Sequence, residues 1–159
     1  MSNDLKQNFT RRINSTISQI ESLPDDGSAD EIKSNLSKYL CILISGYTEK
    51  VFINMLVQYF TIRNSPRIPR FITQTHKHTT NLKMKKIEEI LSSFDSDWSD
   101  RLHSHIKYDE YSAAVNSISE NRNKIAHGEN NNVTVNNLKI WFSKIEELFD
   151  EISRIIATS

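Results

Sequence analysis

The sequence predicts an all-α protein: an up-and-down bundle of four to five helices forming one domain over residues 1–159. Three observations point there. Apolar residues recur every three or four positions along most of the chain, which is the spacing of one helix face. Gly and Pro number three each, too few for the turns of a β-sandwich or barrel. Hydrophobic residues make up 37% of the 159, enough for one core at this length.

The elements follow in order. Leu5, Phe9, Ile13, Ile17 and Ile20 mark a first helix over residues 4–22, and Leu23-Pro-Asp-Asp-Gly27 is a turn by composition. Ser28 or Asp30 is the expected cap of a long second helix running to about Ile62. Leu36, Leu40, Leu43, Tyr47 and Val51 form one stripe on it. Cys41, Ile44, Phe52, Met55 and Leu56 widen that stripe, so this helix should be central and buried on several sides. Ser65-Pro66 and Ile68-Pro69 should break the chain, because prolines three residues apart do not fit a helix interior. A shorter helix is expected over 79–93, capped by Thr79 or Thr80, and Ser96-Asp-Trp-Ser-Asp100 reads as a loop or a short helix start. Tyr108, Tyr111, Val115, Ile118 and Ile125 define a helix over 108–127. Leu138, Trp141, Ile145, Leu148, Ile152 and Ile155 define the last, over 135–156. Gly128-Glu-Asn-Asn-Asn132 is a short polar link, which makes its two helices antiparallel neighbours.

Composition also narrows the function. Neither GxGxxG nor GxxxxGK[ST] occurs. Twenty Lys+Arg balance twenty Asp+Glu, so the whole chain is no blanket binder of polyanions. Cys41 is the single cysteine, which fits a reducing compartment. The longest apolar stretch, Tyr39–Tyr47, is about half of a membrane span, and the N-terminus has no apolar run of the signal-peptide kind. The expectation is a cytoplasmic protein with no membrane contact. His76-x-His78 and His103-x-His105 sit about 200° apart on a helix and cannot share an ion there, so neither metal nor other cofactor is expected. Asp95, Asp97 and Asp100 read as a capping loop beside Trp98.

One residue breaks the helical rhythm. Position 122 falls on the apolar seam, four after Ile118 and three before Ile125, yet it holds Arg. A guanidinium on a core-facing stripe is costly unless it is paired or lines a wet cleft. It can snorkel to water or pair with a Glu on a facing helix. It can also act with His127. The two are about 500° apart around an ideal helix, or about 140° in projection. They converge only where the helix ends at His127, and Gly128 is the residue type that ends helices. A His at a helix C-terminus also suits the dipole with no further role.

The block Asn121-Arg-Asn-Lys-Ile-Ala-His-Gly128 lies between two strongly periodic helices and precedes a polar loop with a Thr. In this it resembles the HEPN superfamily (higher eukaryotes and prokaryotes nucleotide-binding), whose hallmark is R-x(4–6)-H. It is most similar to the stand-alone RiboL-PSP-type HEPN domains with their RN-x-x-AHG. Ser45-Gly-Tyr-Thr-Glu-Lys-Val-Phe52 is similar to their small-residue-plus-Glu segment, and the resemblance covers residues 30–157. It implies a HEPN-like bundle that cleaves RNA without metal, using the 2′-OH to attack the neighbouring phosphate. It also implies a homodimer that brings two Arg/His pairs into one cleft. Arg122 would then bind the phosphate and His127 move protons, since His titrates near neutral pH and Arg offers a rigid fork of donors. Asn123 would orient the His or the phosphate. Glu49 would orient a His or pair with Arg122, or else be an ordinary core-edge Glu. The implied setting is a toxin–antitoxin or phage-defence module with an antitoxin or defence partner protein. Some HEPN toxins carry a modifiable Tyr two residues after the His. Here that place holds Glu129, so the sequence departs from control by that modification.

Charge is unevenly placed. From Lys50 to Ile87 there is no acid, while Lys50, Arg63, Arg67, Arg70, Lys77, Lys83, Lys85 and Lys86 occur. Arg63, Arg67, Arg70, Lys83, Lys85 and Lys86, with Lys124, are the expected RNA contacts, and Phe60 and Phe71 the expected stacking residues. A solvated basic loop balanced by the acidic segment 88–110 is the plain alternative. Arg70 and His76 also match the hallmark spacing, but the Pro-broken segment is not expected to place a helix before that His. The competing function is a non-catalytic dimeric HEPN interaction module, or one that binds nucleotides without cutting them.

Overall fold

The computed structural model describes residues 2–63 and 66–159, with side chains from Asp4 onward. Among them lie seven helices and no strand: α1 (Ser2–Glu21), α2 (Asp30–Ile62), α3 (Arg67–Thr75), α4 (Met84–Phe94), α5 (Ser96–His103), α6 (Tyr108–Ala126) and α7 (Val135–Ala157). The class is as the sequence predicts, with more helices.

α2 is the axis of the bundle and packs against α1, α3, α6 and α7. Its two apolar stripes leave Leu40, Cys41, Ile44, Tyr47, Phe52 and Leu56 without exposed surface. Tyr47 is the knot of the core. Its ring meets Phe142 edge-on at 5.1 Å, stacks on Phe149 at 5.8 Å and touches Phe9 at 6.3 Å, joining α1, α2 and α7. Gly46 lets α1 approach, since a Cβ there would stand 3.4 Å from the Phe9 ring. By length and composition α2 is able to cross a membrane. More than half of its most apolar window is buried inside the bundle, as in the core helix of a folded domain.

Three expectations need correcting. The chain does break after α2, which ends at Ile62, but a further helix, α3, follows at once and contains Pro69. Pro66 is its N-cap residue and Pro69 stands in its first turn, where backbone N–H groups have no helical partner to lose. The Ser65 half of the proposed break lies outside the described residues. α2 has Ala29 at its N-cap and no side-chain cap; Ser28 bonds to Asp26 instead, while Asp30 and Glu31 favour the helix dipole from the first turn. α4 starts at Met84 rather than at 79. Thr79 pairs with His76, and the cap of α4 comes from a neighbouring helix: the Met84 N–H donates to Asn116 Oδ1 at 3.1 Å.

Of the three aspartates, Asp95 is the capping group, and Asp97 pairs with Arg101 at 3.7 Å. Asp95 accepts from the Asp97 N–H at 2.9 Å and opens α5. Trp98 then buries beside Tyr59, Phe60 and Phe94, and its Nε1–H donates to Ser159 at 2.7 Å. Phe60 is thus part of a packed cluster rather than a stacking platform.

Candidate active site

α6 ends as the sequence requires for Arg122 and His127 to share a helix terminus. His127 is the C-cap residue, with φ −91° and ψ 5°, and Gly128 takes the left-handed conformation at φ 66°. The Gly128 N–H donates to Ile125 O at 3.1 Å and the Glu129 N–H to Lys124 O at 2.9 Å, the bond pair of a Schellman motif. The loop that follows is clamped by two asparagines. Asn131, 8% exposed, donates through Nδ2 to Asn121 Oδ1 at 2.7 Å and accepts the Val133 N–H at 2.9 Å. Asn121 in turn donates to Ser117 O. Thr134 then caps α7 by accepting the Asn137 N–H.

On this fixed terminus the Arg122 guanidinium is half-buried and the His127 imidazole is exposed. Neither side chain makes a hydrogen bond or ion pair among the described residues. Asn123, half-buried, and Lys124, exposed, are likewise unpaired there. Pairing of Arg122 with a Glu of a facing helix is therefore not what these residues do.

Glu49 has a different set of partners. Its Oε1 accepts the backbone N–H of Asn81 and the Ser45 hydroxyl, the latter at 3.3 Å. Asn81 holds φ 60°, which Asn tolerates better than most residues, and its Oδ1 accepts from Ser119 Oγ at 2.7 Å. Glu49 and Asn81 thus tie α2 through the 76–83 loop to α6, at a point three residues before Arg122. None of Glu49's hydrogen bonds goes to Arg122 or His127.

The basic residues are exposed. Arg67, Arg70 and Lys77 lie on or just after α3, and Lys83, Lys85 and Lys86 at the start of α4. Lys86 pairs with Glu89 at 3.3 Å, and the Arg63 guanidinium lies 3.6 Å over the Tyr59 ring. Phe71, on α3 with Arg67 and Arg70, is 63% exposed. Cys41, His103 and His105 are not poised as reactants. Burial pushes the Cys41 thiol up to about 12, so it is no nucleophile at neutral pH. His103 binds Glu88 at 2.8 Å, and His105 lies 3.6 Å from Glu151 against the Tyr111 ring. Among the described residues no three His, Cys, Asp or Glu side chains gather as a metal site would need.

Sequence reasoning missed the asparagine clamp, the Asn81 knot and the helix before His76. The first two had a faint signal, since Asn is enriched where backbone groups need a side-chain partner or a left-handed turn. The third was hidden by the prolines.

No curated protein and no solved structure matches the chain. A family model does, over residues 7–158, and it spans both the α6 terminus with Arg122 and His127 and the bundle that presents it. The chain belongs to that family, RiboL-PSP-HEPN.

Proposed function

We propose that the protein is a metal-independent endoribonuclease of the HEPN type, acting as a homodimer with a composite Arg/His site. The observation that carries this reading is the pair at the α6 terminus: a half-buried guanidinium and an exposed imidazole, neither engaged by the described residues. An Arg kept on a core-facing seam without an internal partner has its donors available to an outside anion. In the reaction, the RNA 2′-oxygen bonds to its own phosphorus as the bond to the 5′-oxygen breaks, leaving a 2′,3′-cyclic phosphate and a free 5′-hydroxyl. One group takes the 2′ proton and another returns a proton to the leaving oxygen. A single imidazole does not serve both ends of one step, so His127 from each of two copies supplies base and acid. Arg122 stabilises the crowded phosphorane, and Asn123 orients the phosphate or the imidazole. Ile32, Tyr39 and Ile42 stay partly exposed along α2 and offer apolar surface for the pairing of copies. We place this activity in the cytoplasm, in a toxin–antitoxin or phage-defence setting with a partner that restrains it.

The test is incubation of the purified protein, freed of any co-purifying partner, with single-stranded RNA in the presence of EDTA. Cleavage should persist, leave cyclic phosphate ends, and vanish in Arg122→Ala and His127→Ala while circular dichroism keeps its helical signal. Wild-type rates from His127→Ala would refute the assignment.

A further inference from the structure

A cleft of about 260 Å³ opens between α2, the end of α3 and the start of α1. Its floor is apolar, made by Leu5, Ile53 and Val57, and its rim carries Glu49, Lys50, Asn54, His76 and Lys77. We propose that this cleft is a subsite for one unstacked nucleotide of single-stranded RNA, its base on the apolar floor and its phosphate on Lys50 and Lys77.

Four features support that occupant. The volume falls just below the usual span of ligand clefts, roughly 300–1,000 Å³, which suits one base and excludes a duplex. An apolar floor under a polar rim matches a base, which has an apolar face and a hydrogen-bonding edge. Lys50 and Lys77 are exposed at the rim, Lys86 is near enough to act on His76, and the exposed Arg67 and Arg70 share α3. Finally, the cleft joins the candidate active site through covalent and hydrogen-bonded structure. Glu49 lines it, binds Asn81, and Asn81 binds Ser119 one turn before Arg122.

The edge-reading groups also set a preference. Glu49 gives one carboxylate oxygen to Asn81 and Ser45 and keeps the other for an N–H donor. Burial and the Lys86 charge hold the half-buried His76 below the usual histidine range, so its ring is neutral at pH 7 and has an acceptor nitrogen. Bases with an exocyclic amino group bring at least two N–H donors to these acceptors, whereas uracil brings only its N3–H and leaves one of them unmet. Adenosine, guanosine and cytidine 5′-monophosphates should therefore bind more tightly than uridine 5′-monophosphate, by roughly fivefold, the worth of one hydrogen bond.

The inference deepens the ribonuclease reading, and its test separates the two. Backbone amide NMR shifts are followed on the His127→Ala protein, which holds RNA uncut if that reading is right. The probes are the four ribonucleoside 5′-monophosphates, the bare nucleosides and inorganic phosphate. The monophosphates should shift amides of residues 49–57 and 73–79 and saturate. The nucleosides should bind there more weakly, and phosphate alone should shift few of these amides. Lys50→Glu and Lys77→Glu, both at exposed positions, should weaken monophosphate binding roughly tenfold with the rest of the spectrum intact. Shifts confined to the α6 terminus, or phosphate binding as well as a nucleotide does, would overturn the subsite. If nucleotides fill the cleft but the wild type never cuts RNA, the subsite stands and the ribonuclease reading falls.

Discussion

Two helix ends in this protein carry an Arg followed by a C-cap His, and they differ in nearly everything else. At the end of α6, Arg122 is half-buried, His127 is exposed, and a left-handed Gly128 locks the terminus. At the end of α3, Arg70 is exposed, and His76 is half-buried, 3.4 Å from Thr79 and set into a cleft. The hallmark spacing alone does not tell them apart. Their environments do: one end carries an unengaged exposed imidazole and an unengaged half-buried guanidinium, the other places an imidazole in the lining of a small pocket. The first arrangement suits chemistry on a phosphate, the second suits recognition.

That contrast predicts different kinetic parameters. The largest effect belongs to α6: His127→Ala or Arg122→Ala should lower kcat by at least about 10²-fold, the usual contribution of one proton-transfer or phosphate-stabilising group, with RNA affinity held within a few-fold. His76→Ala should raise KM several-fold and leave kcat within about threefold. A fall in kcat from His76→Ala equal to that from His127→Ala would erase the distinction between the two termini.

The α6 terminus was legible in the sequence because each of its parts is local. The seam position of Arg122 follows from a count of residues to Ile118 and Ile125, and Gly128 names the stop. Local periodicity likewise gave α2, α6 and α7 within a residue or two. The α3 terminus was not legible, because two prolines suggest a break, and only the place of Pro66 at the N-cap and of Pro69 in the first turn makes them harmless to a helix. The start of α4 also lay beyond local reading, since its cap comes from Asn116, thirty-two residues away. Glu49 shows the same limit. Its partner Asn81 is set by how α2 and the 76–83 loop pack, which no spacing on α2 reveals.

The termini should also differ in how much local structure they hold. Asn131→Ala removes the bond to Asn121 and strands the Val133 N–H, at a cost of about 1–2 kcal/mol by urea unfolding. Gly128→Ala should cost about 1 kcal/mol from its positive φ alone, since a Cβ there meets nothing within 4 Å. At the α3 end the residue after the cap is the exposed Lys77, with no left-handed φ, so Lys77→Ala should stay within about 0.5 kcal/mol. Equal losses from Gly128→Ala and Lys77→Ala would mean that the Schellman motif does not hold the α6 end.

The smallest effect is a pH dependence that His76 should show. Burial first, and the Lys86 charge second, lower its pKa in the folded state from the ordinary 6.5. Below pH 6.5 the unfolded chain therefore binds more protons at this position than the folded one does, so stability falls as pH drops and is fully present above 6.5. The groups around the ring are the cations Lys50, Lys77 and Lys86 and the carboxylate of Glu49, which is already taken up by Asn81 and Ser45. Burial and the Lys86 charge both favour the neutral ring, which sets the sign. His76→Gln removes the titration while retaining a polar side chain. Its urea midpoint, compared with the wild type at pH 7.5 and at pH 5.5, should fall less on acidification. The window is separate from that of the carboxylates: Glu147, lowered by its bond to Lys107, gives up its stabilisation only below its ordinary 4.5. A variant whose midpoint falls as steeply as the wild type's between those two pH values would show that the His76 ring is as well solvated as an exposed one, and the cleft that sets it apart from the α6 terminus would lose its main physical support.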